Sequence, residues 1–264
     1  MKEIISVLGC GWLGKPLAKE LIKFGYLVKG STRSTERQKE LIDIGIEPHI
    51  ISLENLDSNL TGFLNAEILI IALPSKNIEG FKQLISEIEK SPIRKIIFIS
   101  STSVYKAENK IVTENSPLQS SPLVEIEQLF ISNKNFKTTV VRFAGLFGYN
   151  RNPGNFFNNG KIIPNPKGFV NFIHQDDCVQ ILIRIIKNDF WNEVFNACND
   201  SHPNRKKFYC KVKNDLGKEI PIFDELNNFN FKIVSNEKLK LKLNYKFKYN
   251  DLMSLEYSKL NIYN

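Results

Sequence analysis

The chain has 264 residues, 36 of them basic and 28 acidic, for a formal charge of +8. At 42% hydrophobic and 24% charged residues it excludes a disordered, collagenous or fibrous protein, and its length suits one large α/β unit with an appendage, or about two domains. The longest apolar run, Ile68 to Leu73, ends at Pro74, far short of the ~20 residues that span a membrane.

Glu3 to Leu8 already has a strand pattern, with no basic leader and no cleavage-like segment, so no secretory signal is expected. Cys10, Cys178, Cys198 and Cys210 form no CxxC pair. That argues against a disulfide framework or a zinc site; no metal is expected, and the thiols fit a reducing cytoplasm. Lysines gather between Lys206 and Lys248 but alternate with Leu, Phe, Tyr and Asn. With no arginine-rich block or nucleic-acid motif beside them, a solvated face is expected, with neither nucleic acid nor membrane as partner. The long-range field of such a surface also favours a phosphorylated or nucleotide ligand.

Short apolar runs recur at Ile4–Leu8, Leu27–Gly30, His49–Leu53, Ile68–Leu73, Ile96–Ile99 and Thr138–Phe143. Apolar on consecutive positions and rich in Ile and Val, they read as strands buried on both faces. Helical patterns lie between them. Leu13 to Phe24 puts Leu17, Ala18, Leu21 and Ile22 on one stripe, and Thr35–Ile44 and Phe81–Glu89 do likewise. Phe81–Glu89 and Leu123–Phe130 are expected to cover the sheet, with a homodimer face as the alternative. The alternation predicts an α/β fold with a Rossmann-type doubly wound parallel sheet over residues 1–150. Such sheets bind ligands beyond the carboxyl ends of their strands.

The pattern changes after Gly148. Asn150 to Gly168 is rich in Asn, Gly and Pro and reads as an extended loop, followed by a helix at Asp176–Lys187 and a strand at Glu193–Ala197. Beyond Ser201 a small C-terminal α/β lobe is expected, with a helix at Arg205–Leu216 and a Lys-rich segment, Leu239–Tyr249, of undetermined type. Residues 151–264 are thus expected to hold a substrate loop, closing elements and the lobe, as one continuous unit.

The first strand runs into Gly9-Cys10-Gly11-Trp12-Leu13-Gly14 and then a helix. This is GxGxxG in its required context. Gly9 makes the tight turn, Gly11 lets backbone approach a pyrophosphate, Gly14 lets helix and strand pack closely, and the helix start offers N–H donors. Strand two ends Gly30-Ser31-Thr32-Arg33-Ser34, with Arg37 one turn on and no acidic residue from Gly30 to Thr35. An acid there would bond the ribose hydroxyls of NAD. Arg33 instead suits adenine stacking or a 2′-phosphate, and Thr32 and Ser34 supply hydroxyls, so NADP is expected over NAD. Ala72, Leu73 and Pro74 close strand four beside the expected cofactor, with Ser75 and Asn77 at the entrance.

Lys95 to Ser100 is a strand that delivers Ser100-Ser101-Thr102-Ser103-Val104-Tyr105 at its carboxyl end. Here the chain resembles the short-chain dehydrogenase/reductase superfamily, most closely the atypical members grouped as the NAD-dependent epimerase/dehydratase family. In order, the stretches carrying the resemblance are VLGCGWLG at 7–14, IIFISSTSVY at 96–105, TENSPL at 113–118, VVRFAGLFG at 140–148, NFIHQDD at 171–177, VFNACND at 194–200 and KIVSNEKLK at 232–240. The resemblance implies a Rossmann domain with a small substrate-facing C-terminal lobe. It makes Ser101 the catalytic hydroxyl, four residues before Tyr105, bonding a substrate oxygen. It sets the loop carrying Arg151 over the substrate site, which Thr102, with the other hydroxyls at the carboxyl end of this strand, is expected to face.

The same resemblance implies a tyrosine followed four residues later by a lysine, the acid/base pair of the family. The corresponding stretch, Ser116 to Glu127, contains neither. One alignment puts Ser121 and Glu125 at the two positions, another Gln119 and Leu123. An unperturbed serine hydroxyl is a far weaker proton donor than a phenol. Tyr105 and His174 are the candidate replacement acids, with Tyr149 also near. His174, with Asp176 and Asp177, is expected to open the helix after the loop, and Asp176 equally suits a helix N-cap. Arg151 is a candidate for pairing an anionic substrate group, while Arg142 is better placed for a structural role beneath the loop.

Two functions follow as expectations. One is an NADP-dependent oxidoreductase or epimerase-like enzyme acting on a small polar or nucleotide-linked substrate. The other is a non-catalytic NADP(H)-binding sensor that has kept the glycine turn and lost the Tyr/Lys pair. An unrelated Rossmann dehydrogenase, such as a 3-hydroxyacid dehydrogenase or an imine reductase, fits poorly, because its second domain is usually all-helical.

Overall fold

The computed structural model describes residues 2–56, 59–157, 160–226 and 230–260. Residues 158 and 159 of the expected Asn-rich loop lie outside the described residues. In chain order the elements are β1 (Ile4–Leu8), α1 (Gly14–Lys23), β2 (Leu27–Thr32), α2 (Thr35–Asp43), β3 (Glu47–Ile50), α3 (Asn59–Leu64), β4 (Ile68–Ile71) and α4 (Ile78–Glu89). They continue with β5 (Lys95–Ser101), β6 (Lys110–Val112), α5 (Pro122–Ile131), β7 (Lys137–Phe143), β8 (Gly145–Phe147), β9 (Phe172–His174) and α6 (Gln175–Lys187). The last are β10 (Val194–Ala197), α7 (Arg205–Asp215), β11 (Lys232–Val234) and α8 (Glu237–Leu243).

Seven strands form one parallel sheet in the order β10–β7–β5–β4–β1–β2–β3. Ile5 pairs with Val28 across β1 and β2, and Val7 with Ile70 across β1 and β4. The chain leaves β1 toward β2 and β3 on one side and returns to β4 and β5 on the other. That reversal puts a crevice at the carboxyl end of β1, where doubly wound sheets bind ligands. The expected fold class is therefore present.

The chain divides into two compact units that interleave in sequence. The first comprises residues 1–104, 119–142 and 179–195; the second comprises 105–118, 143–178 and 196–264. In the first unit, α4 and α5 lie on the sheet, as the apolar stripes required. Their Phe81 and Phe130 enclose Phe98 of β5, whose ring stacks on Phe130 at 5.1 Å between centroids. Ser100, Glu127 and Arg142 form a buried polar knot in this core. Arg142 donates from Nη2 to Glu127 Oε2 at 2.6 Å and from Nε to both carboxylate oxygens, and the Ser100 hydroxyl donates to Oε1. It fastens β5 and β7 to α5.

Several boundaries differ from the periodicity. β3 runs Glu47–Ile50 and not His49–Leu53, because residues 52–55 form a turn in which Asn55 N–H donates to Ser52 O at 3.3 Å. β4 stops at Ile71, and β2 continues to Thr32. Helix α3 has no counterpart in the sequence reading; it is six residues long and contains Thr and Gly, poor helix formers. Its C-terminal end is held by Lys29, whose ammonium donates to Gly62 O at 2.6 Å and, just past the helix, to Asn65 O at 3.0 Å.

In the second unit β8 pairs with β9 and β6 with β11, both in parallel. A separate core gathers Phe147, Phe172, Phe208, Tyr209 and Tyr257. The segment of undetermined type resolves into the greater part of α8 followed by irregular chain with a turn at Lys248 and Tyr249. Asn244 ends the helix in the left-handed conformation, φ +44°, which Asn tolerates better than most residues.

Candidate functional site

A cleft of about 370 Å³ opens at the carboxyl ends of β1, β2 and β4, entirely within the first unit. Its floor is the glycine turn. Gly9 adopts φ +103°, and a Cβ there would lie 2.8 Å from Ala72 O. A Cβ on Gly14 would lie 2.1 Å from Gly9 O, so only glycine lets α1 start this close to the strand. At Gly11 an added Cβ would meet nothing within 4 Å. The backbone at Gly11 therefore faces the open cleft, the exposure a closely approaching pyrophosphate requires. No side chain caps the start of α1, an arrangement suited to an anion at the helix end.

Eight of the expected cofactor residues line this cleft: Gly9, Gly11, Thr32, Arg33, Arg37, Ala72, Leu73 and Pro74. Four do not. Leu13 and Gly14 are buried beneath the turn, Trp12 is half-buried beside it, and the Ser34 hydroxyl donates to Glu36 at the start of α2. Among the described residues neither Arg33 nor Arg37 makes an ion pair, and both are exposed. Ser75 also lines the cleft, whereas Asn77 caps α4, its Oδ1 accepting Gly80 N–H at 3.0 Å.

Sequence reasoning missed six lining residues: Cys10, Ser31, Ile51, Ser52, Leu53 and Glu54. Ser31 Oγ accepts the Gly9 N–H at 2.8 Å, and Cys10 N–H donates to Ser31 O at 2.9 Å, so the end of β2 holds the glycine turn. Cys10 itself is buried, and desolvation pushes its thiol up to about 12, which leaves it a protonated wall group. Burial also raises Cys178 and Cys198, and none of the four cysteines is in a disulfide. Ser52 and Glu54 form the far rim. The Ser52 hydroxyl donates to the Glu54 carboxylate, and this bond first, then the backbone N–H of Glu54 and the Arg33 charge, holds Glu54 below the usual carboxylate range. A run that looked like strand gave no signal for this turn.

The other expected site residues fall in different surroundings. Ser101 ends β5, half-buried, and its Oγ accepts the Ser103 N–H at 3.1 Å, so its own O–H remains available to donate. Thr102 is buried in the turn that follows. Gln119 Nε2 donates to Ser103 O at 2.6 Å, beside Ser101, while Ser121 is the N-cap of α5 and accepts Val124 N–H. Glu125 and Leu123 lie in the first turns of that helix. Arg142, bound to Glu127, is structural.

In the second unit Tyr105 is 1% exposed, and its hydroxyl donates to Asn196 Oδ1 at 2.8 Å. His174 ends β9 and does not open the helix. It is 1% exposed, its ring lies 3.7 Å from that of Tyr249, and its Nδ1 accepts Asp176 N–H at 3.2 Å. Desolvation lowers its pKa to about 4, more than the Asp176 charge raises it. The two candidate acids are thus enclosed: Tyr105 by an internal hydrogen bond, His174 as a neutral packed ring. Asp176 is not an N-cap; it lies inside the first turn of α6 and accepts from Tyr149 OH, Tyr249 OH and Lys248 Nζ. Asp177 accepts from Tyr245 OH and the Lys248 and Tyr249 N–H groups, and burial raises its pKa. Arg151 is exposed and closes a turn through paired backbone bonds with Gly148. No group of His, Cys, Asp or Glu able to hold a metal occurs among the described residues, and no described helix is long and apolar enough to cross a membrane.

Protein YeeZ of Escherichia coli strain K12 is 30% identical to this chain over 97% of its length and 100% of YeeZ. The chain belongs to the same family as YeeZ. Its fold is that of the NAD-dependent epimerase/dehydratases of the short-chain dehydrogenase/reductase superfamily. A structure described as a putative NAD-dependent epimerase/dehydratase from Methylobacillus flagellatus superposes with a TM-score of 0.82 at 22% identity, over 98% of each chain. UDP-glucuronic acid 4-epimerase from Bacillus cereus, solved in complex with NAD, gives 0.77 at 18% identity over 97% of this chain and 98% of that one. No protein-family model matches the sequence.

Proposed function

We propose that the chain binds a nicotinamide dinucleotide in the cleft above the glycine turn, NADP(H) in preference to NAD(H), and works as an oxidoreductase or epimerase-like protein on a small polar or nucleotide-linked substrate. The observation that carries this is the open backbone at Gly11, between two glycines whose own Cβ positions are blocked, that of Gly9 by Ala72 O and that of Gly14 by Gly9 O. The cleft backbone and the start of α1 would hold the pyrophosphate. Arg33 and Arg37, which form no ion pair among the described residues, would receive a 2′-phosphate, with Thr32 beside them. A guanidinium pairs with phosphate through two parallel hydrogen bonds. The bound cofactor supplies hydride transfer. Ser101 would bond a substrate oxygen with its available O–H, Thr102 and Arg151 remaining the further substrate-side candidates. The fold neighbour from Bacillus cereus was also solved with UDP-glucuronic acid and NAD, which supports the nucleotide-linked class of substrate.

A second reading is a non-catalytic NADP(H)-binding protein. It is favoured by the enclosure of Tyr105 and His174 together with the absence of Tyr and Lys from residues 116–127. Binding distinguishes the basic proposal from error, and turnover distinguishes the two readings. Nicotinamide fluorescence titrations should give tighter binding of NADPH than NADH, with Arg33→Ala weakening NADPH at least tenfold and NADH far less. Failure to bind either nucleotide would overturn the proposal. NADPH oxidation with a panel of carbonyl compounds and sugar nucleotides, abolished by Ser101→Ala, would select the enzyme.

A further inference from the structure

The cleft holds two cations and, among its described lining residues, one carboxylate, Glu54. The backbone that carries it is held in place. The turn carrying it is closed by Asn55 N–H to Ser52 O at 3.3 Å, and Leu53 inside the turn is buried in the core, its carbonyl accepting Asn77 Nδ2 at 3.4 Å. Glu54 N–H donates to Ser52 Oγ at 3.3 Å, and the Ser52 hydroxyl donates in turn to the carboxylate. Glu54 thus stands on the rim of the cleft that Arg33 also lines, its carboxylate accepting from the Ser52 hydroxyl.

We infer that Glu54 sets the cofactor specificity of this cleft by opposing a 2′-phosphate that Arg33 and Arg37 attract. The inference rests on the dinucleotide reading above. A phosphate monoester carries about −1.5 to −2 charges at neutral pH, so bringing one to Arg33 also brings it toward Glu54, and like charges within a few ångströms repel. A ribose 2′-hydroxyl meets no such opposition and can donate to a carboxylate. Arginine and glutamate on one rim therefore pull the preference in opposite directions: the guanidiniums favour NADP(H), and Glu54 keeps NAD(H) competitive. The sequence alone suggested an undivided NADP site because no acid follows β2; the acid comes from the turn after β3.

The test is the ratio of NADH to NADPH dissociation constants in wild type, Glu54→Gln and Glu54→Ala, read by nicotinamide fluorescence at about 20 and 500 mM salt, where screening lengths differ severalfold. Glu54 is exposed, and both variants are expected to melt with the wild type. The expected result is a ratio raised about fivefold to tenfold in both variants at low salt, mostly through tighter NADPH binding, with the gain shrinking at high salt. An unchanged ratio, or a shift toward NADH, overturns the role of Glu54 while leaving the dinucleotide site intact. If wild type binds neither nucleotide, the cleft reading fails and this inference fails with it.

Discussion

The hydroxyl of Ser31 accepts the N–H of Gly9 at 2.8 Å, so the last turn of one strand holds the glycine turn of its neighbour. Removing it leaves a backbone donor without its partner. Ser31→Ala is expected to cost about 1–2 kcal/mol of stability and to weaken nucleotide binding severalfold, since the turn loses a fixed shape. Urea denaturation and fluorescence titration of the same preparation check both effects.

The glycines of the motif should separate into structural and ligand-facing ones. Gly14→Ala puts a methyl 2.1 Å from Gly9 O, and such overpacking costs about 1–3 kcal/mol. Gly11→Ala meets no atom of the protein within 4 Å, so its stability should stay within about 0.5 kcal/mol of wild type while nucleotide affinity falls at least tenfold. Equal destabilisation by both would contradict the geometry.

The buried pair of Glu127 and Arg142 offers a third test. Both side chains are at most 3% exposed. Glu127→Ala strands a buried guanidinium, and removing one partner of such a pair costs about 3–5 kcal/mol. The double variant Glu127→Met with Arg142→Met should recover much of that loss. Chemical denaturation of the single and double variants gives the comparison.

His174 makes stability depend on pH. Its folded-state pKa is lowered by burial from 6.5 to about 4, so between those values the unfolded chain binds the extra proton. Stability is therefore full above the unfolded pKa and is lost as pH falls from about 6.5 to 4, by roughly 3 kcal/mol for a shift of this size. His202, whose pKa is also lowered by burial, acts in the same direction. His174→Gln should flatten the slope of melting temperature against pH across that window, leaving the His202 contribution.

What the sequence by itself determined is what short-range chemistry writes. The short, mostly β-branched apolar runs at Ile4–Leu8 and Ile68–Ile71 read as strands buried on two faces. The glycine spacing at 9, 11 and 14 fixes a turn that other residues would block, and Ser121 before Pro122 marks a helix start. These identified the parallel sheet and eight residues of its cleft. The tertiary structure alone decided the contacts between distant residues. Strand β11 pairs with β6 across more than a hundred residues of chain, Glu54 shares a rim with Arg33, and Tyr249 covers the ring of His174. The exposure of a side chain and the charge facing it are set by segments that meet only on folding. That is why Tyr105 and His174, acids by residue type, are internal parts of the protein, and why an acid absent from the end of β2 enters the cleft from the turn after β3.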